Sequence, residues 1–143
     1  MIRALVDTNV LLDYLISRPS FVDAATDLWN ANEQGHFEGY IAAISPINVF
    51  YVARKLPGGN EVARQTVAGL IAAWHICPVT DAVLQAAVTL PMSDYEDAVQ
   101  VASAQAQSID ILVTRDQHDF KDAGLTVLSP ENFLALLNTT QQP

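Results

Sequence analysis

Residues 2–16 read Ile-Arg-Ala-Leu-Val-Asp-Thr-Asn-Val-Leu-Leu-Asp-Tyr-Leu-Ile, and the order of residue types in this stretch decides the fold. Ile2 to Val6 is a short apolar run, the pattern of a buried strand. Asp7-Thr8-Asn9 breaks it with three polar residues, and Val10 to Ile16 then has the apolar density of a helix packed on a sheet. Pro19 punctuates that helix. A strand, a polar turn and a helix in this order form the opening of an α/β unit.

The alternation continues along the chain. Phe21, Ala24, Ala25, Leu28 and Trp29 fall at helical spacing within residues 20–34, and Gly35 is the stop signal. Glu38 to Ala43 is a second strand. Ser45-Pro46 predicts a helix start, a capping hydroxyl followed by proline, for a helix carrying Ile47 to Lys55 and ending at Leu56-Pro57-Gly58-Gly59. A helix over 60–73, a strand over Trp74 to Val79 and a helix over 81–90 follow. Ser93-Asp94-Tyr95-Glu96 has capping-box spacing, with Ser93 as cap and Glu96 reaching back, for a helix running to about Ser108. Asp110 to Thr114 and Leu125 to Leu128 are the last two strands, and Ser129-Pro130 opens a helix through Leu137. The expected fold is α/β, a mostly parallel sheet of about five strands covered on both faces. One domain is expected over residues 1–137, with a polar, frayed tail over 138–143.

The chain has 143 residues, half of them hydrophobic and 16% charged, which fits one compact domain and excludes a disordered one. No apolar run approaches the ~18 residues that span a bilayer, and the start lacks a signal peptide's sections, so a cytoplasmic protein without membrane contact is expected. Cys77, the single cysteine, sits in an apolar stretch and reads as a buried, inert thiol. The formal net charge is −9, with only seven Lys and Arg. That balance argues against an ordinary basic nucleic-acid surface unless the acids hold cations that reverse the local field.

In open parallel sheets, sites form beyond the carboxyl ends of the strands. Asp7 follows the first strand directly, and Asp116 stands two residues past Thr114 at the exit of the Ile111-Leu112-Val113 strand. Alone, Asp7 reads equally as a helix cap, and Asp116 reads first as a turn residue; their shared sheet edge is what points to function. Asp94, Glu96 and Asp97 suit the first turn of a helix through the macrodipole. Glu96 has the capping box to account for it. Asp97 lies a turn in, beside the apolar face carrying Val101 and Ala104, where a carboxylate is costly unless something positive meets it. Hard cations such as Mg²⁺ and Mn²⁺ take carboxylate oxygens, and Asp7, Asp97 and Asp116 supply them. His36, His75 and His118 lack metal-ligand spacing, and no phosphate-binding glycine loop or Ser-His-Asp arrangement is present.

Three segments together resemble the PIN domain family, which includes the VapC-type toxins: Leu5-Val6-Asp7-Thr8-Asn9-Val10-Leu11-Leu12-Asp13, then Asp94-Tyr95-Glu96-Asp97-Ala98 with Ala102 and Ala106, then Ile111-Leu112-Val113-Thr114-Arg115-Asp116. The resemblance covers the chain from residue 2 to the Pro130 helix. It implies a three-layer α/β/α sandwich and a Mg²⁺ or Mn²⁺ site built by Asp7, Asp97 and Asp116. A fourth family acid, normally Glu, aligns with Asn48, so the chain resembles a subset with Asn there; an amide can ligate but brings no charge. Asp94, Glu96 or Asp119 could make up the deficit, with Asp119 expected to support the site rather than ligate; Thr8 and Thr114 flank it.

The implied function is a metal-dependent endoribonuclease acting on RNA phosphodiesters, as a toxin with a small antitoxin partner, and commonly as a homodimer. Arg115, Arg54 and Lys55 are the candidates for RNA phosphate contacts. Phe50, Tyr51 and Trp74 could serve an interface, with core packing their expected job. The rival is a catalytically degenerate PIN fold that binds RNA or protein without cutting. A receiver-like phosphoacceptor domain also gathers acids at a sheet edge, but Asp116 and Lys121 fit its required lysine poorly.

Overall fold

The computed structural model describes residues 1–141. Five strands, β1 (Arg3–Val6), β2 (Glu38–Ala42), β3 (His75–Cys77), β4 (Ile111–Val113) and β5 (Thr126–Leu128), form one sheet in the order β3-β2-β1-β4-β5. All four pairings are parallel. Seven helices cover it: α1 (Thr8–Leu15), α2 (Val22–Glu33), α3 (Ile44–Ala53), α4 (Gly59–Ala73), α5 (Asp81–Val88), α6 (Tyr95–Ala106) and α7 (Pro130–Gln141). A short 3-10 turn, Gln117–Phe120, lies between β4 and β5.

Side chains of a strand alternate between faces, and β1 shows why both sides need cover. Ala4 and Val6 join Leu11, Leu28, Trp29, Phe37, Trp74 and Phe133 on one side. Leu5 joins Val101, Ala104, Ile109, Leu112 and Phe120 on the other. All three of these β1 residues are fully buried, so the near-continuous apolar run of β1 is the composition that a central parallel strand requires.

Close approach on the first side depends on Gly39. A Cβ there would collide with the Trp74 ring and the Asn32 amide oxygen. Asn32 in turn accepts from the Gly39 N–H at 3.1 Å and donates to the Ala73 carbonyl at 2.8 Å, tying α2 to β2 and to the end of α4.

Three local expectations are corrected. Asp94, not Ser93, caps α6: its backbone is extended (φ −95°, ψ 121°) and its side chain accepts from the Asp97 N–H. Helix α3 begins at Ile44 without a side-chain cap, because the Ser45 hydroxyl is buried and turned to Thr8. Helix α7 continues through residues 138–141, its Thr139 and Thr140 hydroxyls bonding back to the Leu136 and Leu137 carbonyls; residues 142 and 143 lie outside the described residues. Trp74 is core, as expected, whereas Tyr51 is 51% exposed. With Ile47, Phe50 and Ile71 it lines an apolar groove of about 520 Å³ between α3 and α4. Among the described residues no helix is long and apolar enough to cross a membrane.

Candidate metal centre

The strand order makes β1 the turning point of the topology: the chain builds outward through β2 and β3, then returns to place β4 on β1's other side. The carboxyl ends of β1 and β4 flank the crevice where open α/β sheets bind ligands. Leu5 pairs with Leu112 and Val6 with Val113, so the next residues out, Asp7 and Thr114, emerge side by side. The Asp7 N–H donates to the Val113 carbonyl at 2.9 Å, fixing that register to the last residue of the strand.

Asp7 is the N-cap of α1, with extended backbone, but its side chain makes no capping hydrogen bond. Its carboxylate is 3% exposed, with Oδ1 accepting from Gln100 Nε2 at 2.9 Å and Oδ2 from the Thr114 hydroxyl at 2.9 Å. Burial raises its pKa, the bonds from Gln100 and Thr114 oppose that rise, and the nearby charge of Asp116 adds to it. Thr114 also accepts from the Asp116 N–H at 3.0 Å, so one buried hydroxyl links the two acids at the strand exits.

Gln100, 1% exposed, is the counterpart on α6. Its Oε1 accepts from the Thr8 N–H at 3.3 Å while its Nε2 holds Asp7, which anchors the start of α1 to the middle of α6. Thr8 shares a 2.7 Å hydroxyl contact with Ser45, bringing the start of α3 to the same place. Three helix segments and two strand ends thus converge on Asp7.

The remaining acids crowd this point. Asp97 has its pKa pushed up to about 7, first by burial and then by Asp94, Asp7, Asp119 and Glu96. Glu96 is raised as well, by burial and then by Asp94 and Asp7. The Asn48 amide donates to Glu96 Oε1. Asp116 accepts from Asn9 Nδ2 and from Arg115 Nη1, both at 3.4 Å.

Asp7, Asp97 and Asp116 therefore belong to one region, with Asn48, Asp94, Glu96, Asp119, Thr8, Thr114 and Arg115 around it. The side chains do not close on a single point: among the described residues, no three His, Cys, Asp or Glu form a ready metal-holding group. Asp94 is turned to its capping bond, Glu96 to Asn48, and Asp116 to Asn9 and Arg115. A hard divalent cation nonetheless fits the chemistry, because every ligand on offer is oxygen and Asp7, Glu96 and Asp97 are held above their usual pKa by burial and neighbouring acids.

Arg54 and Lys55 are not brought to this region. Arg54 lies six residues beyond Asn48, roughly 9 Å further along the helix axis, and its guanidinium sits over the Tyr51 ring at 4.7 Å. His36, His75 and His118 are all exposed. Sequence reasoning missed Gln100, gave Ser45 a capping role in place of its contact with Thr8, and assigned no contact to Asn9 or, outside the site, to the buried Asp13. Gln100 and Asp13 did leave a trace, each being a polar residue within an apolar helix segment.

A search of curated proteins gives no match. Among solved structures, the chain is similar to a toxin–antitoxin complex from Klebsiella pneumoniae, with 24% identity over 89% of this chain and 97% of that one and a TM-score of 0.66. It is similar to DNA-bound VapBC from Salmonella typhimurium, with 17% identity, coverage of 91% and 99%, and a TM-score of 0.70. A third likeness is to the sarcin–ricin loop cleaving toxin VapC20 of Mycobacterium tuberculosis, with 17% identity, coverage of 86% and 96%, and a TM-score of 0.68. These likenesses show the α/β/α fold. Residues 3–118 match the family model of the PIN domain, and on that span the chain belongs to the PIN domain family.

Proposed function

We propose that the protein is a divalent-metal-dependent endoribonuclease that hydrolyses RNA phosphodiester bonds. The observation that carries this reading is Asp7: a carboxylate at the β1 exit, buried, held at both oxygens, and electrostatically coupled to Asp116 and Asp97. It stands at the N-cap of α1, yet its side-chain oxygens are taken by Gln100 and Thr114 rather than spent on a capping bond.

Asp7, Asp97 and Asp116 would hold Mg²⁺ or Mn²⁺, which supplies Lewis acidity toward water and countercharge for the phosphate. The chain's own groups do the rest. Gln100 and Thr114 fix Asp7, Asp94 orders the first turn of α6 under Asp97, and Arg115 offers a cation to the RNA backbone. Asn48, aligned with the position where the family normally has Glu, supplies no charge, but it holds the Glu96 carboxylate.

The test is RNA cleavage with Mn²⁺ by the wild type and by Asp7→Asn and Asp97→Asn. Loss of cleavage in both variants is expected, and cleavage unchanged in either removes the assigned site. Asn48 also motivates a second reading, a degenerate fold that binds RNA or protein without cutting. Calorimetry with Mn²⁺ separates the two, since the nuclease must bind the metal. The likeness to toxin–antitoxin complexes supports a further part of the proposal, a small antitoxin partner. Self-association as a homodimer, which light scattering would reveal, is the expected state of the protein alone.

A further inference from the structure

Asp13 is 2% exposed and ionisable, and the site described above does not use it. It accepts from Arg115 Nε at 2.8 Å and from Arg18 Nη1 at 3.3 Å. The Arg115 guanidinium also lies over the Phe21 ring, 4.2 Å from its centroid, and reaches Asp116 Oδ1 with Nη1 at 3.4 Å. The two ends of this guanidinium are held unequally. Toward Asp13 the contact is short, buried on the acid's side and backed by an aromatic face; toward Asp116 it is single, long and at the weak edge of hydrogen-bonding range.

From this asymmetry we propose that Arg115 is a built-in countercation of the metal centre, clamped by Asp13 and Phe21 and only lent to Asp116. With Asp116 engaged by a divalent cation, Arg115 would give up the weak contact and keep the clamp, and its Nη1 would be left at a fixed place beside the centre for a phosphate oxygen of RNA. Asp13 is a positioning residue, acting through Arg115. The inference rests on the nuclease reading of the same site.

Mn²⁺ binding by calorimetry on the full chain, with MnCl2 alone as the probe, gives the decisive signs. Arg115→Gln removes the competitor for Asp116 and should tighten Mn²⁺ by up to about fivefold, the upper range for a partly exposed ion pair. Yet it should raise the KM for RNA about tenfold, with kcat changed less. Asp13→Asn frees Arg115 to settle fully on Asp116 and should weaken Mn²⁺ binding. Phe21→Leu, at a half-exposed position that tolerates change, should weaken it in the same direction if Asp13→Asn fails to fold. Opposite signs for the two ends of one ion pair are not produced by general damage to the fold. If Arg115→Gln weakens Mn²⁺, or shifts it in the same direction as the clamp variants, the countercation role is overturned while the metal centre stands. If the wild type binds no Mn²⁺, both the centre and this role fall.

Discussion

Asp97→Asn should make the metal-free protein more stable at pH 8, although it removes a residue assigned to the site. A carboxyl raised from 3.8 to about 7 corresponds to roughly 4 kcal/mol of preference for the neutral form. Asp97 is only partly buried, and water screens the neighbouring charges, which leaves about 1–2 kcal/mol. Against this, a neutral residue in the first turn of α6 forgoes about 0.5 kcal/mol of interaction with the helix dipole. The net gain is about 1 kcal/mol, or roughly 3 °C in Tm for a domain of this length.

The pH dependence follows from the direction of the shift. The folded-state pKa lies above the unfolded value, so the folded protein binds the extra proton between about 4 and about 7. The stability contributed by protonated Asp97 is complete below that window and is lost as pH rises through it. The asparagine variant should therefore match the wild type at low pH and exceed it at pH 8. Thermal melts at the two pH values, with and without MnCl2, read this directly. Saturating Mn²⁺ at a hundredfold excess over Kd should stabilise the wild type by about 2.7 kcal/mol, roughly 9 °C, and the variant far less. The order of stabilities then reverses with metal. A variant less stable than the wild type in metal-free buffer at pH 8 would refute the argument that the carboxylates are crowded.

Gln100→Leu removes the donor to Asp7 Oδ1 and leaves the buried Thr8 N–H without its acceptor, which should cost about 1–3 kcal/mol in a melt and weaken Mn²⁺ binding in parallel. Gly39→Ala places a methyl group against Trp74 and Asn32 and should cost about 1–3 kcal/mol, with a change in tryptophan fluorescence, because the ring must move. Cys77 is fully buried with its thiol pushed up to about 11, chiefly by burial; a thiol reagent at pH 8 should label it slowly in the native protein and completely in denaturant.

The parts of this molecule that were legible in the sequence are those fixed by local pattern. Apolar runs bounded by polar residues locate β1 and β4 and therefore their exits, which is why Asp7 and Asp116 could be placed at one edge before any coordinates. The cap of α6 shows where local pattern runs out. Ser93 and Asp94 both carry an acceptor oxygen one residue apart, and the choice falls to whichever backbone is extended as the helix begins, here Asp94.

What sets Asp7 apart from an ordinary cap is not local at all. Its two oxygens are taken by Gln100 and Thr114, 93 and 107 positions away, and Asp13 meets Arg115 across 102. No periodicity encodes such pairs, because a glutamine within an apolar helix face scans as an interruption until the strand that it serves is packed beside it. The interruption is itself informative. A buried amide or carboxylate is retained on an apolar face only if it has partners, so Gln100 and Asp13 already required something to bind, and the fold supplies Asp7 and the Thr8 N–H to one and Arg115 and Arg18 to the other.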